Sequence, residues 1–294
     1  MKFFKSFLLH FIVIILFGAG VLLFCYPFIS NYLVSRNQLR EIEVYEKAVE
    51  DTDDATLAIA LKEAQEYNES LLGKGMVKDP FADDEETEDT EYEDLLNING
   101  NSVMGSIEIP VINITLPIYH GTSDEILQEG VGHLNKTSLP VGGKGTHAII
   151  AGHSGLPNAK IFTDLDLLEI GDVFYIHCLN ETLAYKVDQI KVVEPDDTDD
   201  LAIDPNQDYV TLVTCTPYGV NSHRLLVRGT RIPYEESEKL VVETENRESE
   251  SMWMQEYKKA VCIGCIVFGV FLFVYIIITI IRKIRRKANA KKGT

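Results

Sequence analysis

Two long apolar stretches, one near each end of the chain, constrain its fold more than any other feature. Residues 7–28 and 260–281 each exceed the length of about 20 residues that an α-helix needs to span a bilayer. Basic residues lie just outside these stretches, at Lys2, Lys5 and throughout the tail 282–294. By the positive-inside rule, both termini are expected in the cytoplasm and the middle of the chain outside. The sequence therefore predicts a two-pass protein of the cell membrane.

A cleaved signal peptide is the alternative interpretation of the first stretch. The apolar run is longer than a usual signal-peptide core and no A-x-A-like cleavage site follows it, so an uncleaved anchor is preferred.

The distribution of charged residues agrees with this topology. Nine of the 27 basic residues lie in the two tails, which leaves 18 against all 45 acidic residues between positions 31 and 259, and 18 − 45 = −27. So acidic a segment argues against nucleic acid as a partner.

The outer segment begins with a helical region and an acidic run. From residue 31 to about 72, apolar residues recur at helical spacing, with a break and an N-cap signal at Asp51 to Asp54. This pattern predicts two helices. Between Asp83 and Asp94, nine of twelve residues are acidic, which is too charged to bury and predicts a solvated tether. A metal-binding role for the run is the minor alternative.

From about residue 98 to 234 the pattern changes to short β-type runs separated by Gly, Pro, Asn and Asp. Their spacing predicts an all-β barrel or sandwich with one buried core, and the stretch Ala159 to Leu168 predicts a helical insertion. The predicted strands are Ser106–Ile114, Ala148–Ala151, Val173–His177, Thr182–Val193, Tyr209–Thr214 and Leu225–Ile232.

One cysteine stands where a nucleophile is expected. Cys215 follows the strand Tyr209–Thr214 and precedes a turn signal at Pro217 to Gly219. A second strand signal starts at Arg224, so the two strands are predicted to pair as antiparallel neighbours. That pairing would bring Arg224 beside Cys215 on one face, which places a thiol and a fixed cation in one pocket.

A working thiol needs a base, a nearby cation or both, and the chain offers seven histidines. His153 stands out because the buried strand Ala148–Ala151 ends at Gly152, so the next side chain is presented at a rim. His147 and His223 are closer alternatives. The remaining four carry no partner signal: His10 in an apolar span, and His120, His133 and His177 in turns or at strand ends.

Five cysteines occur in the sequence, and only Cys178 and Cys215 lie between the apolar spans. A disulfide between these two is chemically allowed outside the cell, and it would silence the nucleophile. Cys262 and Cys265 form a C-x-x-C pair, but within an apolar span that spacing reflects composition more than redox or metal chemistry.

The order T-L-V-T-C from Thr211 to Cys215, with an arginine nine residues later, resembles the active-site strand of sortases, the cysteine transpeptidases of Gram-positive cell surfaces. The resemblance covers roughly residues 30 to 280. It implies an eight-stranded sortase-type β-barrel with short helices. Further segments resemble the family in the expected order: Gly105–Pro110, Leu116–Gly121, Ala151–Pro157 and Phe162–Asp166.

The same resemblance assigns roles to three residues. Cys215 attacks the scissile carbonyl and forms a thioester, while His153 protonates the departing amine and later deprotonates the incoming one. Arg224 either donates hydrogen bonds to the developing oxyanion or holds the substrate backbone. The sequence leaves two resting states open for Cys215 and His153, an ion pair and a pair of neutral groups.

A short segment before the acidic run narrows the family. Asp79, Pro80 and Phe81 resemble the Asp-Pro-aromatic lid of class C sortases, the pilin polymerases. In that class the aromatic ring covers the cysteine and the aspartate pairs with an active-site charge. A ring can fill an apolar groove meant for a substrate side chain, and Asp79 could neutralise Arg224.

The resemblance thus implies a membrane-anchored class C sortase. It would cleave an LPxTG-like sorting signal between Thr and Gly and transfer the acyl group to a lysine amine of another pilin, without metal or organic cofactor. Two alternatives stay open: a sortase that attaches single surface proteins to the peptidoglycan precursor, and a non-catalytic peptide-binding assembly module.

The predicted domain organisation has six parts along the chain. They are a cytoplasmic tail with the first span (1–30), an extracellular helical region with lid 79–81 and acidic tether (31–97), the catalytic barrel (98–234), a linker (235–259), the second span (260–281) and a basic cytoplasmic tail (282–294).

Overall fold

The computed structural model describes residues 2–73, 78–82, 89–156, 159–244 and 252–291. The chain divides into two units, Met1–Arg247 and Glu248–Thr294. In its described part the second unit is one helix, Met252–Lys291, within which Lys259–Arg282 is long and apolar enough to cross a membrane. The opening helix of the first unit contains a second such segment, Ile15–Glu50. Both agree with the apolar stretches of the sequence by length and composition.

Two long helices occupy the part of the chain where the sequence predicts two. Helix α1 spans Lys2–Glu50 and runs from the apolar stretch into the polar region without a break, and α2 spans Asp54–Leu71. Asp53 caps α2, because its carboxylate accepts the backbone N–H groups of Ala55 and Thr56, both at 3.1 Å. Such a cap satisfies N–H groups that have no partner inside the helix. The predicted break and N-cap are therefore confirmed.

Polar contacts attach both helices to the barrel. The Tyr45 hydroxyl of α1 donates to the carbonyl of Met104 and accepts the N–H of Leu179, each at 3.0 Å. On α2, the buried Asn68 amide donates to the carbonyl of Leu139 at 3.1 Å and accepts its N–H at 2.7 Å. These paired bonds fix the position of the helices on the barrel, because each buried group would lose a partner if its helix shifted.

Eight strands close into a barrel, which confirms the implied fold class. Around the barrel the order is β1-β2-β3-β4-β7-β8-β6-β5, and the pairs β2–β3 and β4–β7 are parallel. The strands are β1 (Val103–Ile109), β2 (Ile114–His120), β3 (Val131–His133), β4 (Thr146–Ala151), β5 (Val173–Cys178), β6 (Glu181–Val193), β7 (Asp208–Thr216) and β8 (His223–Ile232). The helices after α2 are α3 (Thr90–Asp94), α4 (Asp124–Glu129), α5 (Tyr234–Thr244) and α6 (Met252–Lys291).

Strands β4, β7 and β8 carry two apolar faces, since successive side chains of a strand point to opposite sides. Ile150, Leu212 and Val227 join the main core of the barrel. Their neighbours point the other way and form a second set of packed side chains, here called the outer apolar cluster. The outer apolar cluster consists of Leu134, Ile149, Leu201, Val213 and Leu226.

Two predictions about local structure are wrong. The run Ser106–Ile114 is not one strand, because β1 ends at Ile109 and a 3₁₀ turn over Pro110–Ile112 leads into β2. Pro110 has no N–H for a strand ladder, and Asn113 adopts a left-handed φ of 51° that reverses the chain. The predicted helical insertion 159–168 contains only a 3₁₀ turn at Leu165–Leu167, because Phe162 is fully buried and anchors this segment as a loop.

The described part of the acidic run is a helix and not a solvated tether. Residues 83–88 lie outside the described residues, whereas the following segment forms α3 with Tyr92 buried beneath it. The Tyr92 hydroxyl lies 2.8 Å from Nδ1 of His133 on β3, so an aromatic residue fixes this part of a highly charged sequence. The first part of the predicted linker is likewise ordered: α5 packs Leu240 and Val241 against β5 and β6.

Candidate active site

Cys215 and Arg224 lie side by side at the ends of neighbouring strands. They are register partners in the antiparallel pair β7–β8, and both are largely buried, with 8% and 9% of their surface exposed. Alternation places them on the same side of the strands as Val213 and Leu226, which belong to the outer apolar cluster. The predicted pairing and shared face are confirmed.

His153 follows β4, the other neighbour of β7. The ladder between these strands ends at Ala151, whose partner is Val213. Gly152 comes next, where a Cβ atom would lie 2.8 Å from the Phe162 ring. Only glycine fits this close approach. The carbonyl of His153 accepts the N–H of Phe162 at 3.0 Å, so the loop that carries the imidazole is tied to the core.

A third segment, residues 78–82, contacts two of the candidate residues, Arg224 and His153. Asp79 forms a bidentate ion pair with Arg224, with Oδ1 2.8 Å from Nε and Oδ2 2.6 Å from Nη2. The Phe81 ring centroid lies 5.8 Å from that of His153 and 5.1 Å from the guanidinium carbon of Arg224. A bidentate, charge-assisted pair with little solvent exposure is among the stronger side-chain contacts.

Phe81 also covers an apolar surface. Its ring packs against the outer apolar cluster, and Val193 packs there from β6. Pro80, between the two contact residues, is itself buried. Residues 79–81 therefore lie against Arg224, His153 and the outer apolar cluster at once.

Burial controls the charge state of the candidate residues. Burial raises the pKa of the Cys215 thiol; Arg224 opposes this shift and the negative charge of Asp79 adds to it. Burial lowers the pKa of the His153 imidazole, with partial opposition from Asp124. Both directions favour the neutral thiol and the neutral imidazole while residues 78–82 lie over the site. Hydrogen bonding from Asp79 raises the pKa of Arg224 further, so the guanidinium stays charged.

The other histidines point to different roles. His147 lies inside the fold, with Nδ1 3.0 Å from the carbonyl of Ala202 and Nε2 2.7 Å from Oγ1 of Thr211. His223 is adjacent to Arg224, but its ring contacts Ser222 and Glu194. His133 and His120 are buried among backbone carbonyls, and His177 pairs with Glu108. The side chain of His10 lies outside the described ones.

Cys178 and Cys215 are both free thiols, so the structure has no disulfide between them. The Cys178 thiol lies 3.3 Å from the carbonyl of Met104 in the main core, and burial raises its pKa to about 12. A thiol in such surroundings is inert. Cys215 is therefore the better nucleophile of the two. Among the described residues, no three His, Cys, Asp or Glu side chains converge as a metal site would require.

Sequence reasoning missed two hydroxyl groups next to the candidate residues. Oγ of Ser154 donates to the carbonyl of Cys215 at 2.7 Å, and Oγ1 of Thr214 donates to the carbonyl of Gly152 at 2.6 Å. The only signal was their position beside His153 and Cys215. Small hydroxyl residues are common at strand ends, so the pattern alone does not indicate a contact between distant segments.

Comparison with known proteins points to one family. A family model described as the sortase domain matches residues 107–232. Sortase A of Bacillus anthracis is 24% identical over 218 residues, which cover 74% of this chain and 91% of that protein.

Solved structures give a stronger likeness. Sortase C of Streptococcus pneumoniae, whose structure is described in terms of catalysis and pilin substrate specificity, is 44% identical with a TM-score of 0.62; the match covers 66% of this chain and 97% of that one. Sortase C1 of Streptococcus agalactiae is 47% identical with a TM-score of 0.62, over 68% of this chain and 97% of that one.

Proposed function

Because this chain belongs to the sortase family of cysteine transpeptidases, and within it to the class C sortases, we propose that it joins pilin subunits through lysine isopeptide bonds. One arrangement carries the proposal. Cys215 and Arg224 are partners on adjacent strands, His153 follows the strand on the other side of Cys215, Asp79 pairs with Arg224, and Phe81 contacts both Arg224 and His153. We propose Cys215 as nucleophile, His153 as acid and base, and Arg224 as the electrostatic partner.

Acylation follows from the neutral resting pair. The Cys215 thiol transfers its proton to His153 as sulfur attacks the threonine carbonyl of an LPxTG-like sorting signal. The Thr–Gly bond breaks, and the proton on His153 passes to the departing glycine amine. A thioester between Cys215 and the threonine acyl group remains. No metal or organic cofactor takes part in this scheme.

Resolution reverses the roles. A lysine amine of a second pilin attacks the thioester carbonyl, and His153 accepts the proton that the amine loses. Cys215 leaves as a thiolate and is reprotonated from the imidazolium. The product is an isopeptide bond, and the enzyme returns to its starting state.

Arg224 is occupied while residues 78–82 cover the site. Nε and Nη2 donate to Asp79, whereas Nη1 donates to the carbonyls of Asn221 and His223, both at 3.2 Å. Departure of Asp79 would free two donors, Nε and Nη2, without releasing the Nη1 bonds that orient the guanidinium. Those donors can then serve the oxyanion or the substrate backbone, and loss of one such donor typically costs about 2.7 to 4 kcal/mol. Residues 79–81 are thus proposed to act as a lid.

The proposed function also implies where the enzyme is located. Two helices able to span a bilayer anchor the enzyme in the cell membrane, with the barrel outside and both termini in the cytoplasm. The barrel then faces the surface compartment where pilin and surface proteins with LPxTG-like signals are presented.

The test is pilus polymerisation in cells that depend on this chain. We expect the parent to give a ladder of covalent pilin polymers that resists boiling in detergent. Cys215→Ala should abolish the ladder and leave pilin monomers, whereas Cys178→Ser should keep it. A normal ladder with Cys215→Ala would refute the proposal. Surface proteins attached singly to peptidoglycan, without polymers, would favour the anchoring type of sortase.

A further inference from the structure

Cys215 is held differently on its two sides. Toward β8 the ladder continues beyond it, since Thr216 still pairs with His223. Toward β4 the ladder stops at the pair Ala151 and Val213, two residues before the cysteine. The regular sheet therefore fixes Cys215 relative to Arg224, but it does not fix Cys215 relative to His153.

Three hydrogen bonds continue the connection where the β4–β7 ladder ends. The N–H of Gly152 donates to the carbonyl of Val213 at 3.0 Å. The Thr214 hydroxyl then donates to the carbonyl of Gly152 at 2.6 Å, and the Ser154 hydroxyl donates to the carbonyl of Cys215 at 2.7 Å. The residues before and after His153 are thus bonded to the strand that carries Cys215. Two of the three bonds come from side-chain hydroxyls, one on Ser154 and one on Thr214.

Ser154 makes the tie that reaches the cysteine itself. It is buried, with 6% of its surface exposed, so its bond is shielded from competing water. Its position directly after His153 means that a displacement of this serine moves the imidazole as well. Loss of the hydroxyl would leave the Cys215 carbonyl without this donor and the loop free to shift.

We propose that Ser154 is a positioning residue that sets the spacing between the His153 imidazole and the Cys215 thiol through its hydrogen bond to the Cys215 carbonyl. The inference rests on the proposed roles of His153 and Cys215. Proton transfer between thiol and imidazole depends steeply on their separation, so a small displacement slows the chemical step more than it weakens substrate binding.

The test uses the full chain in detergent, with Asp79→Ala and Phe81→Ala introduced throughout so that the lid does not limit the rate. Cleavage of an LPxTG-type peptide with a lysine amine acceptor gives kcat and KM. We expect Ser154→Ala to lower kcat roughly 10- to 100-fold with little change in KM. Ser154→Thr, which keeps the hydroxyl, should retain most of the parent rate.

Ser138→Ala is the matched control. Ser138 is also buried, and its hydroxyl accepts the N–H of His147, away from the proposed catalytic groups. This variant should lower the thermal midpoint about as much as Ser154→Ala without the fall in kcat. An unchanged kcat in Ser154→Ala, an equal loss in Ser138→Ala, or a Ser154→Thr variant as slow as Ser154→Ala would each overturn the inference. Two further variants separate the claims: full activity in His153→Ala would refute the role of His153 on which this inference rests, whereas full activity in Cys215→Ala would refute the proposed function itself.

Discussion

The surroundings of Cys215, His153 and Arg224 hold each of the three in a resting charge state. Nε and Nη2 of Arg224 donate to Asp79, and burial keeps the Cys215 thiol protonated. Burial likewise keeps His153 neutral. If these residues carry acyl transfer as proposed, their resting charges would delay it until the Asp79 carboxylate departs.

Asp79→Asn should therefore make the thiol more acidic. Burial is the larger cause of the raised pKa of Cys215, and Asp79 adds to it, so removal of that charge leaves Arg224 to favour the thiolate. The rate of alkylation by iodoacetamide should rise at neutral pH, and its pH midpoint should move to lower pH. Glu46→Gln removes one charge from the exposed face of α1 and should leave the profile unchanged. An unshifted profile in Asp79→Asn would mean that the carboxylate does not act on the thiol.

At this scale the sequence predicted contacts that follow from strand periodicity. Cys215 and Arg224 flank a short turn between adjacent strands, so their register could be counted along the chain. The Asp79 contact with Arg224 was anticipated only through resemblance, because the two residues are far apart in sequence. The bonds from Ser154 and Thr214 were missed for a related reason: they join β4 and β7, whose parallel pairing depends on the closed barrel.

Among the elements, the segment 78–82 is the one proposed to control access to the site. The ion pair of Asp79 with Arg224 and the packed ring of Phe81 attach it to the barrel, and the segment itself forms no helix or strand. Such an attachment can release as a unit without disturbing the barrel, because β4, β7 and β8 keep their own ladders.

Phe81→Ala should weaken that attachment. Burial of a phenylalanine ring against apolar side chains contributes roughly 1.5 to 3 kcal/mol, and partial exposure places Phe81 at the lower end. We expect the open population, and with it the alkylation rate of Cys215, to rise about tenfold. Ala82→Gly, at an exposed neighbouring position, is the control and should change the rate little. A Phe81→Ala variant that reacts at the parent rate would show that the ring does not limit access.

Helices and strands whose apolar residues recur with a clear period were predicted from the sequence, and elements without such a period were not. Two helices and strands β4 to β8 follow from their apolar spacing and turn residues. Strand β3 has only three residues, Val131–His133, too few to show alternation. The charge of the α3 sequence predicts a solvated segment. Burial of one residue, Tyr92, instead holds this segment against the barrel as a helix.

For the molecule as a whole, the buried histidines predict how stability depends on pH. Burial lowers the pKa of His147 from 6.5 to about 4 and that of His133 to about 3. The unfolded chain takes up these protons below about pH 6.5, whereas the folded chain does not. The free energy of unfolding should therefore fall as the pH drops from 6.5 toward 4, by about 1.4 kcal/mol per pH unit for each group.

The variant His147→Asn isolates one such contribution. It should be less stable than the parent at neutral pH, since it loses contacts to Ala202 and Thr211. Its stability should nevertheless fall less steeply with acid, by about 1.4 kcal/mol per pH unit between pH 6 and 4.5. Unfolding followed by tyrosine near-ultraviolet circular dichroism gives both slopes. Equal slopes would show that His147 is protonated in the folded chain.

The central claim, that Cys215 forms an acyl-enzyme which an amine resolves, is tested most directly by intact mass. The full chain with Asp79→Ala and Phe81→Ala is incubated with an LPxTG-type peptide and then with a lysine amine. We predict a mass increase equal to the acyl part of the peptide, absent in Cys215→Ala and lost when the amine is added as the isopeptide product appears. An adduct that persists in Cys215→Ala, or no adduct while Cys215 still reacts with iodoacetamide, would contradict the account.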